Sequence, residues 1–215
     1  PMWPLAGALA GVASLVGAMA GLGSVTDEDA YLDGVGIIDQ LDRGGYHVSF
    51  IAGMIGVAAL FVAAAGWRRW AAHRAADDLA AGTIATALQA TATVNIIGYS
   101  LAGALALYLP DGLDEGTMAD ESLFVNFAYL DFGTLFGWWG AVVAAGCVAV
   151  LAFRRRVLPR WMGITSVVLL AIPVLFAALT ALPGMPGLIM PIWLIAISVG
   201  MTLSRSADAG VGVPR

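Results

Sequence analysis

The chain alternates between long apolar runs and short polar stretches, and the lengths of the runs dominate the pattern. A helix needs about 20 predominantly apolar residues to cross a hydrocarbon core. Five runs reach that length, at residues 3–23, 47–66, 80–109, 124–153 and 161–182. A sixth, at 188–204, is shorter, and Pro183, Pro186 and Pro191 leave its start open. The pattern predicts an all-α polytopic membrane protein: six transmembrane helices in one bundle over residues 1–204, then a polar tail, 205–215. Five spans with a re-entrant last segment is the alternative.

Composition supplies the reason these runs need lipid. Of the 215 residues 60% are hydrophobic and only 12% charged, against about 25% charged in soluble domains. The mean hydropathy is +0.87. A water-soluble fold of this size could not hide that much apolar surface.

The polar stretches orient the spans. Every basic residue is Arg. Arg68, Arg69 and Arg74 fall in one connection, Arg154, Arg155, Arg156 and Arg160 in another, and Arg205 and Arg215 in the tail. These belong to alternate connections, hence to one side, and the other side holds only Arg43. The positive-inside rule then places both termini in the cytoplasm of a cell-membrane protein. The opposite loops are acidic, with Asp27, Glu28, Asp29, Asp33, Asp39 and Asp42 in the first, and Asp111, Asp114, Glu115, Asp120 and Glu121 in the second.

Local signals mark the helix ends. Trp67, Trp70 and Trp161 flank the Arg clusters, where headgroups are expected. Thr117-x-x-Asp120 has the spacing of a capping box opening the fourth span, and Asp77 and Asp78 suit the positive end of the third. In the first acidic loop, Thr26-x-x-Asp29 precedes Tyr31, Leu32, Val35, Ile38 and Leu41 at helical spacing. These predict a short amphipathic helix on the outer leaflet, with an irregular loop as the alternative. Ala18-Met19-Ala20 resembles a signal-peptidase site, but no basic segment precedes it.

Small residues recur at Gly7, Gly11, Ser14, Ala18 and Gly21, a strip that admits close backbone approach. It suits packing within the bundle, or contact with a second copy or a membrane-complex partner. Gly133, Gly137 and Gly140 form a similar strip on the fourth span.

Candidate chemistry concentrates in the third and fourth spans. Thr86, Gln89, Thr93 and Ser100 fall near one face of the third; Thr91, Asn95 and Tyr99 lie along the adjoining one. Lipid offers polar groups no partner, so both sets are expected to turn inward. Asp131 is the only formal charge left within a span. Counted from the outer ends, Tyr99, Ser100 and Asp131 lie at one level, about 10 Å deep. A carboxylate at the centre of a span costs about 2.5–3.5 kcal/mol. His47, heading the second span, adds a titratable group at the same mouth. Asp131, Tyr99, Ser100, Asn95 and His47 are therefore the candidate ligand-binding or proton-linked residues.

Other chemistries lack their residues. There is no HExxH, GxSxG, Walker or dinucleotide motif. Cys147 is a lone thiol. His47 and His73 fall on opposite sides of the membrane, and the acidic runs lack calcium-loop spacing. No catalytic residue, metal, cofactor or nucleic-acid partner is expected; the lipid bilayer is.

The chain resembles uncharacterised six-helix membrane proteins of high-GC Gram-positive bacteria. The resembling features are Tyr46-His47 leading into Ala52-Gly53-Met54-Ile55-Gly56, an Arg-rich inner turn, and the run from Arg156 through Leu158-Pro159-Arg160-Trp161 to Gly163. The resemblance implies a fold and no activity. The expected function is that of a non-enzymatic accessory, sensing, or lipid- or small-apolar-ligand-binding protein. The alternative is a small proton- or cation-coupled transporter working through Asp131 and the polar third span.

Overall fold

Each apolar run closes its backbone hydrogen bonds within itself, as helix. In a computed structural model the chain forms seven α-helices, with no strand among the described residues, which are 2–23 and 34–210. Side chains are described for these except at 131, 132 and 204–210. The helices are α1 (Trp3–Leu22), α2 (Arg43–Arg74), α3 (Leu79–Tyr108), α4 (Asp120–Phe136), α5 (Trp139–Val150), α6 (Arg160–Thr180) and α7 (Met185–Gly210). Taking Asp120–Arg155 as one unit, six segments are long and apolar enough to cross a membrane. α7 continues as helix past Pro191, so its segment does not turn back.

The second run extends further than its apolar core, for a local reason. Asp42 caps α2, its carboxylate accepting from the amides of Gly44 and Gly45 at 2.9 Å each. That starts the helix at Arg43, and it runs on through Trp67 and the arginines. Of the two acids expected at the positive end of α3, Asp78 caps it, accepting from Ala80 and Ala81.

The expected capping box at Thr117 does not form. The Thr117 hydroxyl donates to the Asp114 carbonyl at 2.7 Å, inside its own turn. Ala119 takes the N-cap of α4 without a side-chain bond. Thr26, Asp29, Tyr31 and Leu32 lie outside the described residues. The rest of that loop forms a short 3-10 helix, Gly34–Gln40. It does not lie flat on a surface: Ile37, Ile38 and Leu41 are buried in a cluster with Tyr46, Leu105 and Phe127. Trp67 also turns inward, only 1% exposed, edge-on to Trp3 and Trp70.

The fourth run breaks in the middle. α4 ends at Phe136 and α5 begins at Trp139. Between them Trp138 donates to Leu135 at 3.4 Å, and Ala141 to Trp138 at 3.0 Å, tighter three-residue steps than an α-helix makes. Gly137, at the break, lies against the side-chain oxygen of Asn95, which would overlap any Cβ there.

The helices pack in a ring, α1 on α2, α2 on α3, α3 on α4 and α5, then α6 and α7 back to α1. The glycine strips explain the closeness. Gly133, Gly137 and Gly140 meet Gly98, Asn95 and Thr91 on α3. On α1, Gly7 and Gly11 meet Ser198 and Pro191 of α7, Ser14 meets Gly56 of α2, and Gly21 meets Ser49. Ala18 is 2% exposed. The strip packs against α2 and α7 within the chain, the first of the two uses its spacing suits.

Outward-facing positions are apolar around the ring, as at Val62, Ile97 and Leu175. A soluble monomer rarely exposes so continuous an apolar surface.

Candidate functional site

α3 carries the polar side chains, and its helical period sorts them into two environments. Thr91, Asn95 and Tyr99 follow one another at four-residue steps and are fully buried. Tyr99 threads between α2 and α1, because Gly53 has no side chain to block its ring and Gly17 leaves room beside it. Its hydroxyl donates to the Ser14 carbonyl at 3.1 Å. Thr91 donates back to Ala87 in its own helix at 3.2 Å. Asn95 differs: neither its amide nitrogen nor its oxygen has a hydrogen-bond partner. The hydroxyls of Ser14 and Ser49 are buried without partners as well.

The other polar face does not turn inward as expected. Thr86, Thr93 and Ser100 are exposed. Thr93 satisfies its hydroxyl on the Gln89 carbonyl at 3.0 Å, and Gln89 accepts from Arg68 at 2.7 Å. Back-bonding to a carbonyl one turn earlier lets a hydroxyl face an apolar surrounding without an interhelical partner.

The five candidates therefore do not converge. Tyr99 and Asn95 belong to the interior. His47 and Ser100 line a groove of about 470 Å³ at the acidic end of the bundle, between α2 and α3. The side chain of Asp131 lies outside the described residues. Its backbone is helical, and the pairing of Gly133 with Gly98 and of Gly137 with Asn95 sets position 131 level with position 100.

The groove is built from two matched stripes. Arg43, His47 and Phe50 descend one face of α2; Ser100, Gly103, Ala104 and Leu107 climb the facing side of α3. Steps of three and four residues keep each stripe on one face. Gly103 gives the Phe50 ring its place against α3. Arg43 stands at the mouth, its Nε donating to the Ala106 carbonyl at 2.9 Å, and Leu113 forms an exposed lip. Sequence reasoning identified His47 and Ser100 and missed Arg43, Phe50, Gly103 and Ala104. The spacing of the α2 stripe was legible, but which residue of α3 faces it was not.

At the opposite, arginine-rich end, Asp78 joins two elements. It caps α3 and accepts from Arg155 Nε at 2.5 Å. Arg155 ends a π-helical turn, Leu151–Arg155, that closes α5. Partial burial pushes the Asp78 carboxyl up, but the Ala81 and Ala80 amides and then Arg155 outweigh it, holding its pKa below the ordinary 3.8.

Among the described residues no three His, Cys, Asp or Glu side chains are grouped to hold a metal. His47 and His73 sit at opposite ends of α2. No family model, curated protein or solved structure matches the chain.

Proposed function

We propose that this is a non-enzymatic, multi-pass protein of the cell membrane, with both termini in the cytoplasm, that holds a small amphiphile in the groove between α2 and α3. The groove carries the proposal. Its volume, about 470 Å³, lies in the range of small-molecule sites, roughly 300–1,000 Å³. Apolar walls with a cation and an imidazole near the mouth suit a ligand that is apolar at one end and polar at the other. Six long apolar helices and the gathering of Arg at one end support the membrane placement and the orientation.

Two experiments test this. Protein extracted in mild detergent should retain about one lipid-sized ligand per chain through gel filtration, and Ala104→Trp, which fills the groove, should abolish retention. Equal retention by both would refute the groove as the seat. For orientation, in a Cys147→Ala background, Leu113→Cys should react with an impermeant thiol reagent in intact cells, whereas Ala72→Cys should not. The reverse pattern would overturn the topology.

A second reading, a proton- or cation-coupled transporter, is favoured by one feature. The interruption between α4 and α5 faces the unpartnered amide of Asn95 at mid-span, and broken helices in transporters line substrate sites. Proteoliposomes loaded with a pH dye should then show a flux that Asp131→Asn removes.

A further inference from the structure

Resting on the amphiphile-binding role above, we propose that the occupant of the groove is an anionic lipid of the outer leaflet, with its phosphate at Arg43 and an acyl chain along the α2 and α3 stripes. Three features carry this.

The first is the placement of charge along the groove. Arg43 stands at the helix start and Phe50 seven residues on, about 10 Å deeper at 1.5 Å per residue. Cation at the rim and apolar floor match the order of a lipid entering head-outward. His47, one turn below Arg43, adds a ring nitrogen, while Gly103 and Ala104 keep the α3 wall low where a chain would lie.

The second is the orientation of the guanidinium. The bond from Nε to the Ala106 carbonyl at 2.9 Å ties one edge of Arg43 to the end of α3. The terminal nitrogens are its remaining donors, and a planar fork of such donors matches a phosphate better than a point charge does.

The third is the route of approach. Asp39, Asp42, Asp111, Asp114 and Glu115 surround this end of the bundle. They repel any anion held at Arg43, free or lipid-borne, over a screening length of about 10 Å at 0.1 M salt. The high local concentration of lipid in the bilayer offsets that repulsion, where a dilute free anion has nothing to offset it. A lipid arrives sideways, its head already at the level of Arg43. Because its tail leaves one hydrocarbon surrounding for another, apolar burial contributes little discrimination. Selection falls on the head. One Arg at a membrane surface favours an anionic lipid by about fivefold.

The test uses the full chain in mild detergent, with phosphatidylglycerol and phosphatidylcholine of identical chains supplied together. Lipid retained through gel filtration is quantified by mass spectrometry. Wild type should retain phosphatidylglycerol about fivefold over phosphatidylcholine. Arg43→Gln should bring the ratio to about one while total retention persists, and Arg43→Lys should keep part of the preference. Raising salt from about 0.05 M to about 0.5 M should shrink the wild-type ratio without any substitution. Millimolar glycerol phosphate should not displace the lipid. Equal retention of the two lipids by wild type, a salt-independent ratio, an unchanged ratio in Arg43→Gln, or displacement by glycerol phosphate would each overturn the headgroup assignment. Those results would leave the groove's amphiphile role standing; no lipid retained by wild type, or equal retention by Ala104→Trp, would end that.

Discussion

Asn95 is the residue whose replacement says most about the interior. Its amide is wholly buried at mid-span, its oxygen against Gly137 and both polar atoms without a partner. Leaving a buried polar group unpaired costs about 1–3 kcal/mol, whereas an apolar group of the same shape carries no such penalty. Leu matches the branched outline of Asn, so one methyl replaces the oxygen facing Gly137. Asn95→Leu should therefore fold and gain about 1–3 kcal/mol, if the interior is the dry packing contact described. Asn95→Ala also removes the amide but leaves a gap beside Gly137, so it should gain less. The assay is reversible unfolding in mixed micelles at rising denaturing-detergent fraction, followed by circular dichroism and by the fluorescence of the buried Trp138. A loss of more than about 1 kcal/mol in Asn95→Leu, with a normal far-ultraviolet spectrum, would refute the reasoning. It would mean that the amide bonds a guest at the α4–α5 interruption, and it would raise the transporter reading above the binding one.

Three further predictions concern packing and the arginine end. Tyr99→Phe keeps the ring between Gly53 and Gly17 and loses only the bond to Ser14, so the same assay should show a loss of about 0.6 kcal/mol, the average for such bonds in membranes; a loss several times larger would contradict this. Gly53→Val places a side chain inside the Tyr99 ring and should cost at least the 1–3 kcal/mol typical of overpacking, roughly; wild-type stability would show that α2 and α3 are not in contact there. Asp78 has a folded-state pKa below its ordinary 3.8, so its contribution is complete above that value and disappears as pH falls through the lower, folded value. Wild-type Tm should thus decline below about pH 4, and Asp78→Asn should start lower at neutral pH and show a weaker decline; identical profiles would remove Asp78 from any stabilising role.

Much of the helical architecture was readable along the chain, because the length of an apolar run is a local property. The boundaries of α1, α3 and α6 fall within two residues of the expected spans, and the acids at the start of α3 were legible from their position, since the helix dipole is local to its own first turn. The break between α4 and α5 was not. Without a proline, residues 124–153 read as one helix, and the sequence does not show that Asn95 of another helix packs against Gly137 at the break. The polar positions of α3 illustrate the same limit. Their spacing separates two faces, but which face turns inward depends on the glycines of α1, α2 and α4 that let the bundle close. The interior accordingly holds Asn95 and Tyr99, while Ser100 joins His47 and Arg43 in a groove. Periodicity fixes which residues share a face of one helix; only packing against the neighbours decides what that face meets.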